Sequence, residues 1–329
     1  MKTTTLRILF TAAILVGMAA APDAQVFRWQ AGRDNAERAA RTERQVRARI
    51  NAQIRRQIQN EIRMNRRIVV RGRGFSYVEQ IGSDSDPCRN NTIWRGNDDY
   101  EHHCEVREST MGAGPLNVDA GQNGGIVIEG WDRNEIHVRA VVNAQARSES
   151  RAREIAGQVQ VQAGGGRVYA TGPDNDRRES WSVSYRINVP RRNDLDLRAN
   201  NGGITIVGVN GNMRFDTTNG GVKLQDIGGR VNGETRNGGL NVTLSGDRWD
   251  GEGLDVETSN GGVTLTLPDN FNAELETRTV NGGLRIDFPI TVQGDLTGRR
   301  GLNTTLGSGG PLVRVRTTNG GVRISRRSN

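Results

Sequence analysis

The side chains of this sequence that could do chemistry fall in a few places. Cys88 and Cys104 are its only cysteines, with His102 and His103 beside the second. A Cys/His set could hold zinc, but neighbouring histidines point apart on most backbones, and the spacing matches no C-x-x-C or H-x-x-x-H ligand pattern. The expectation is a Cys88–Cys104 disulfide formed in an oxidising compartment. Closing such a loop stabilises a fold by roughly 3 kcal/mol. Acid catalysis on a polysaccharide would need carboxyls converging on one face. Asp196, Asp216 and Asp255 stand five, three and five residues before the asparagine of an Asn-Gly-Gly, and Asp287 six after one. Counted this way they are scattered, so no catalytic residues are expected, and no cofactor or metal. Asn-Gly-Gly itself occurs at Asn123, Asn201, Asn219, Asn237, Asn260, Asn281 and Asn319. A phosphate cradle would need a helix N-terminus after the glycines, whereas strand-like sequence follows each of these.

The remaining chemistry is charge. Residues 26–73 hold fourteen arginines against four acids, a net +10, while the whole chain is +8. The basicity therefore belongs to this segment and the rest of the protein is acidic. From Asp34 to about Met64 there is no Gly or Pro, and Val46, Ile50, Ile54, Ile58 and Ile62 recur every four residues. That spacing gives an amphipathic helix with a narrow apolar spine. Arg47, Arg49, Arg55, Arg56, Arg63, Arg66 and Arg67 could contact an anionic membrane or lipopolysaccharide surface, an attraction that salt would weaken. The same spine could instead dock on a partner, on a second copy or on the protein's own body. Nucleic acid is not an expected partner, since from Arg33 to Arg73 no aromatic is interleaved with the arginines for stacking. Ahead of this segment, Lys2, Arg7 and the apolar run Ile8–Ala21 read as a signal peptide over residues 1–24. The run is too short to span a bilayer, which needs ~20 residues.

The elements that must position everything else are repeated strands. Three and five residues after each asparagine from Asn201 onward stand Ile204/Ile206, Val222/Leu224, Leu240/Val242, Val263/Leu265, Leu284/Ile286 and Val322/Ile324. Six before stand Leu195, Met213, Val231, Leu254, Leu275 and Val313. Two before are Ala199 and then five threonines. This is period-two alternation on both sides of a corner, hence two strands with one buried face each. The intervals between asparagines are 18, 18, 23, 21 and 38 residues, the spacing of a solenoid. Each rung is strand, NGG corner, strand and second corner, the last visible in "VGVNG" (207–211) and "QDIGG" (225–229). Positive φ at the corner would explain Gly and Asn, and stacked asparagines could pass amide hydrogen bonds from rung to rung. "SGDRWDGEG" (245–253) reads as a loop leaving the stack. "LGSGGPLVRV" (306–315) reads as a degenerate corner with Ser308 in place of Asn. With 43 glycines and 5% aromatics, the core should be thin and built of Val, Ile and Leu.

Strands are also expected at 134–142, 166–172 and 181–190, and a short helix at 150–159. Residues 75–130 should start or cap the stack, 131–326 should form it, and Arg326 and Arg327 should block its far end, because open strands invite edge-to-edge assembly.

The "HHCEVRE" block (102–108), "NVP" (188–190), the NGG-bearing strands and the final "GSGGPLVRVRTTNGGVRI" (307–324), behind an exported N-terminus, resemble the DUF4097 family of bacterial adhesin-like proteins over roughly 75–325. The resemblance implies a parallel β-helix in a cell-envelope or surface setting and implies no reaction. The expected fold is thus all-β, a parallel β-helix (β-solenoid) with NGG corners preceded by a basic α-helix. The expected function is a non-catalytic, adhesin-like scaffold that is periplasmic, surface-bound or secreted, touching a protein or polysaccharide of the envelope. The alternatives are a carbohydrate-active β-helix enzyme, or a stress-signalling scaffold recruited through the basic helix.

Overall fold

A computed structural model describes residues 68–72, 75–79, 88, 100–176, 178–287 and 300–327. The chain divides into units 1–66 and 67–329. The signal segment and the arginines at 47, 49, 55, 56, 63, 66 and 67 lie outside the described residues. One end of the helical assignment over 26–73 is corrected: β1 (Ile68–Gly72) is a strand, paired antiparallel with β2 (Phe75–Glu79). Val69 and Val70 are β-branched and favour extended backbone over helix.

The rest is nearly all β. β3 (Glu101–Gly112), β4 (Leu116–Asp119), β5 (Ile126–Trp131) and β6 (Glu135–Ala146) precede the helix α1 (Glu149–Gln158). After it come β7 (Gln160–Gly164), β8 (Arg167–Thr171), β9 (Ser180–Pro190), β10 (Leu195–Ala199), β11 (Ile204–Val207), β12 (Asn210–Thr217) and β13 (Val222–Gln225). Then follow β14 (Gly228–Thr235), β15 (Leu240–Thr243), β16 (Gly253–Asn260), β17 (Val263–Leu267), β18 (Ala273–Asn281) and β19 (Leu284–Ile286). The last are β20 (Gly301–Leu306), β21 (Leu312–Asn319) and β22 (Val322–Arg326).

Each NGG corner passes the chain from one ten-stranded sheet to the other. The first sheet runs β20-β18-β21-β16-β14-β12-β10-β4-β8-β7 and the second β19-β22-β17-β15-β13-β11-β5-β9-β6-β3. Pairing is parallel from β4 to β18 and from β9 to β19, and residues at equal offset from their asparagine are partners, for example Met213↔Val231 and Val222↔Leu240. The arrangement is β-solenoid-like. The apolar columns face inward and are buried, except Leu284 and Ile286, which are only partly covered on the terminal strand. The weakest column, four residues before Asn, is repaired by size exchange. A side-chain carbon added to Gly233 would lie 2.4 Å from the ring of Phe215, so the glycine is the space that the ring fills.

The rungs are not stacked in chain order. β21 lies between β16 and β18, and β22 between β17 and β19. The last rung of the chain is therefore inserted one place before the end. The expectation that Arg326 and Arg327 block the end of the stack is overturned. Arg326 pairs with Asp269, and Arg327 reaches Asp226 at 2.6 Å and the Leu244 carbonyl at 2.9 Å. The end is formed by β19 and by β20, which runs antiparallel to β18. Ser308 is not a rung corner either. It sits in the connection that passes the start of β18, where its N–H and hydroxyl both donate to Asn272 Oδ1, at 2.7 and 3.0 Å. The expected excursion at 245–253 folds back instead. Trp249 is buried and its Nε1 donates to the Gly229 carbonyl at 2.9 Å.

β4 and β5, within 75–130, are a rung of the stack, and the closing end is made by β3, β6 and β9 with β7, β8 and α1. α1 starts at Ser148, whose hydroxyl accepts from the Arg151 N–H. At its C-terminus Arg107 of β3 donates to the carbonyls of Ala156 (2.8 Å) and Val159, placing a cation where the helix dipole is negative.

Candidate functional site

The NGG corners form one line. Each asparagine amide donates to the carbonyl of the next: Asn201 to Asn123 (3.1 Å), Asn219 to Asn201 (2.7 Å), Asn237 to Asn219 (2.8 Å), Asn260 to Asn237 (2.9 Å), Asn319 to Asn260 (2.8 Å) and Asn281 to Asn319 (2.8 Å). Behind the ladder the threonine two residues earlier donates to the first glycine carbonyl of the preceding rung: Thr217 to Gly202, Thr235 to Gly220, Thr258 to Gly238, Thr317 to Gly261 and Thr279 to Gly320, at 2.6–2.8 Å. The corner does not depend on a left-handed asparagine. Among the described residues the one non-glycine with positive φ is Asp226, at 52°, in a second corner. The first glycine is required by close approach: a side-chain carbon at Gly220 would lie 2.0 Å from the Gly202 carbonyl oxygen, and at Gly282 1.9 Å from that of Gly320. The corners are thus a structural spine.

Cys88 and Cys104 form a disulfide with Cα atoms 5.5 Å apart. Cys104 belongs to β3, where His103 lies 3.6 Å from Glu105. Among the described residues no three His, Cys, Asp or Glu side chains are grouped as metal ligands.

Chemistry concentrates on the outer face of the first sheet, in two rows set by strand register. One row reads Asn117, Asp196, Arg214, Asn232, Asp255, Arg314, Glu276. The other reads Asp119, Arg198, Asp216, Glu234, Glu257, Arg316, Arg278. At the β16–β21–β18 end the rows neutralise themselves. Arg314 bonds Glu276 (2.8 Å) and Asp255 (3.1 Å), and Arg316 bonds Asp255 (3.0 Å) and Glu257 (3.1 Å). The hydrogen bond that Arg314 donates to Glu276, with the one it donates to Asp255, raises its pKa against its partial burial. In the middle three acids follow one another on adjacent strands, Asp216, Glu234 and Glu257. A hydrogen bond with Asp216, then burial, then the charges of Asp216 and Glu257 raise the Glu234 pKa above the ordinary carboxylate value. Glu234 therefore holds its proton more tightly than an ordinary glutamate does.

The outward acids expected from the sequence separate accordingly. Asp196, Asp216 and Asp255 share this face, in adjoining rows. Asp287 lies apart, after β19, where hydrogen bonds from Arg285 (2.6 Å) and Arg323 hold its pKa low. Glu234, Glu257 and Glu276 were missed, although a signal existed: the residues three before successive asparagines read Arg198, Asp216, Glu234, Glu257. A carboxyl pair on adjacent strands can hold a proton, accept hydrogen bonds from hydroxyls or amides, and attract cationic groups.

Among solved structures the chain is similar to a candidate cell adhesion protein from Clostridium sporogenes, 10% identical, with 69% of this chain and 100% of that chain covered and a TM-score of 0.40. It is also similar to a candidate adhesin from Bacteroides fragilis, 11% identical over 68% of this chain and 97% of that chain, TM-score 0.29. A candidate lipid binding protein from Parabacteroides distasonis is 10% identical over 67% and 96% of the two chains, TM-score 0.25. No curated protein matches the sequence. The family model described as Toastrack DUF4097 matches residues 114–325, from just before β4 of the first NGG rung into β22 of the last in the chain, and the chain belongs to that family.

Proposed function

We propose that this Toastrack protein is an exported, non-catalytic parallel β-helix of the bacterial cell envelope that works as an adhesin-like contact surface. The observation that carries this reading is the outer face of the first sheet, where two registered rows of charged and amide side chains extend over seven consecutive strands. Such a face offers hydrogen bonds at the strand spacing of ~4.8 Å, a repeat suited to an extended polysaccharide or peptide. A disulfide in a thin-cored protein supports an extracytoplasmic setting. The arginines of residues 26–73 would add a tether to an anionic surface or dock on a partner.

The test is retention of the full chain on peptidoglycan, lipopolysaccharide and anionic vesicles. The comparison is a variant carrying Asp216→Lys and Glu257→Lys. Loss of retention in the variant supports the face as the contact surface. Equal retention rejects it and points to the basic segment, which vesicle binding that fails at high salt would identify. A second reading, a polysaccharide hydrolase, is favoured by the carboxyl pair Asp216 and Glu234, side by side on β12 and β14, and by the raised pKa of Glu234. Release of reducing ends that disappears in Glu234→Gln would establish it.

A further inference from the structure

The inserted rung is a separable piece. β21 and β22 occupy a slot whose walls are β16 and β17 on one side and β18 and β19 on the other. All four walls precede the occupant in the chain, and β18 and β19 join the two sheets through it. The walls and the filling match in chemistry as well as in backbone. β21 brings Arg314 and Arg316, and the walls bring Asp255, Glu257 and Glu276. Arg323 of β22 meets Asp287. Val313, Val315, Val322 and Ile324 supply the buried side. Removing the filling would bare the edges of β16, β17, β18 and β19 that it pairs, each a template for pairing.

The connection to the filling is short and rich in glycine. Gly307, Ser308, Gly309, Gly310 and Pro311 link β20 to β21, with Gly307 and Gly309 at φ of 57° and 77°. Hydrogen bonds from Ser308 to Asn272 fasten this link to the start of β18. Extending the link would carry β21 and β22 away as a unit without breaking a contact inside the rung.

We propose that this slot is an exchangeable strand-binding site whose second occupant is the β21–β22 rung of another copy of this chain. Every contact of the closed form would be reproduced between copies, which is what makes exchange of an identical element a low-cost route to dimers. Strand addition supplies the affinity through main-chain hydrogen bonds, and the Arg–carboxylate pairs set the register.

Two full-length variants test it. One reverses the slot, Asp255→Lys with Glu257→Lys and Glu276→Lys. The other reverses the filling, Arg314→Glu with Arg316→Glu. Alone, each repels its own rung. Mixed, each rung finds opposite charge in the other copy. The expected result is a particle of twice the chain mass, containing one of each variant, formed on mixing and absent from either sample alone. A mixture that elutes as its two separate components overturns the proposal. Should the variants not fold, wild-type protein decides the matter. It is incubated in urea below its unfolding transition with a fluorescent peptide of residues 307–327, then diluted. Co-elution of this peptide, and its loss when the peptide carries the two Arg→Glu changes, supports exchange. Absence of co-elution at every urea concentration overturns it.

Discussion

Asn319 donates a 2.8 Å hydrogen bond to Asn260, fifty-nine residues earlier, although Asn281 lies between them in the chain. The chain builds a rung at Asn281, reverses through β20, and returns to fill the gap it left. Electrostatics accounts for the skipped place. Stacked in chain order, Asp255 and Glu276 would stand on neighbouring strands at the same offset, and like charges directly opposite are destabilising. Insertion puts Arg314 between them, hydrogen-bonded to both.

The ladder should be most sensitive at its middle. Asn219 both donates to Asn201 and accepts from Asn237, whereas Asn281 only donates. Asn219→Ala is expected to lower stability by about 1–2 kcal/mol, and Asn281→Ala by about half as much, at roughly 1 kcal/mol for each net hydrogen bond. Urea unfolding followed by circular dichroism measures both. Equal losses would show that the ladder does not act through its side-chain bonds.

The buried threonines divide into two kinds. Thr235 Oγ1 donates to the Gly220 carbonyl, while Thr277 Oγ1 is buried in the −4 column without a hydrogen-bond partner. Thr235→Val leaves a buried carbonyl short of a donor and should cost about 1–3 kcal/mol. Thr277→Val removes a hydroxyl that bonds nothing, so its thermal midpoint should equal or exceed that of the wild type.

What the sequence disclosed, and what it hid, follows from where the information sits. Period-two alternation around each Asn showed the buried columns, because burial acts on single side chains. The order of the last rungs is a property of pairs. Its one sequence signal was the like-charge clash of Asp255 with Glu276, and the intervals between asparagines carry none of it. The corner was legible as a corner but for the wrong reason, since the tight spot at Gly220 is made by Gly202 of the neighbouring rung. The candidate face was half legible. Asp216 could be seen turned outward, but Glu234 and Glu257 join it only when whole columns, and not aspartates alone, are aligned.

Gly233 and Phe215 should behave as one unit. Gly233→Ala places a methyl against the Phe215 ring and is expected to cost about 1–3 kcal/mol as overpacking. Phe215→Leu alone should lose about 1–2 kcal/mol of packing. Together the losses should be less than additive, since the shorter side chain vacates the space that the methyl enters. A double-mutant cycle of unfolding free energies reads the coupling. Strict additivity would mean that the ring does not occupy the place of the missing side chain.

Glu234 gives the protein a pH dependence of definite sign. Its pKa is raised in the folded state by the hydrogen bond with Asp216, by burial and by the neighbouring charges. The folded protein therefore holds this proton more tightly than the unfolded chain. Its contribution to stability is complete below the ordinary glutamate pKa and is lost as pH rises through the raised value. Above that value the charged Glu234 stands between Asp216 and Glu257 on adjacent strands. Glu234→Gln keeps a hydrogen-bond donor for Asp216 and cannot ionise. The variant should match the wild type in acid and become the more stable of the two as pH rises toward neutrality. Unfolding midpoints of both proteins across that range make the comparison. A stability difference that stays constant with pH would show that Glu234 titrates alike in the folded and unfolded chains.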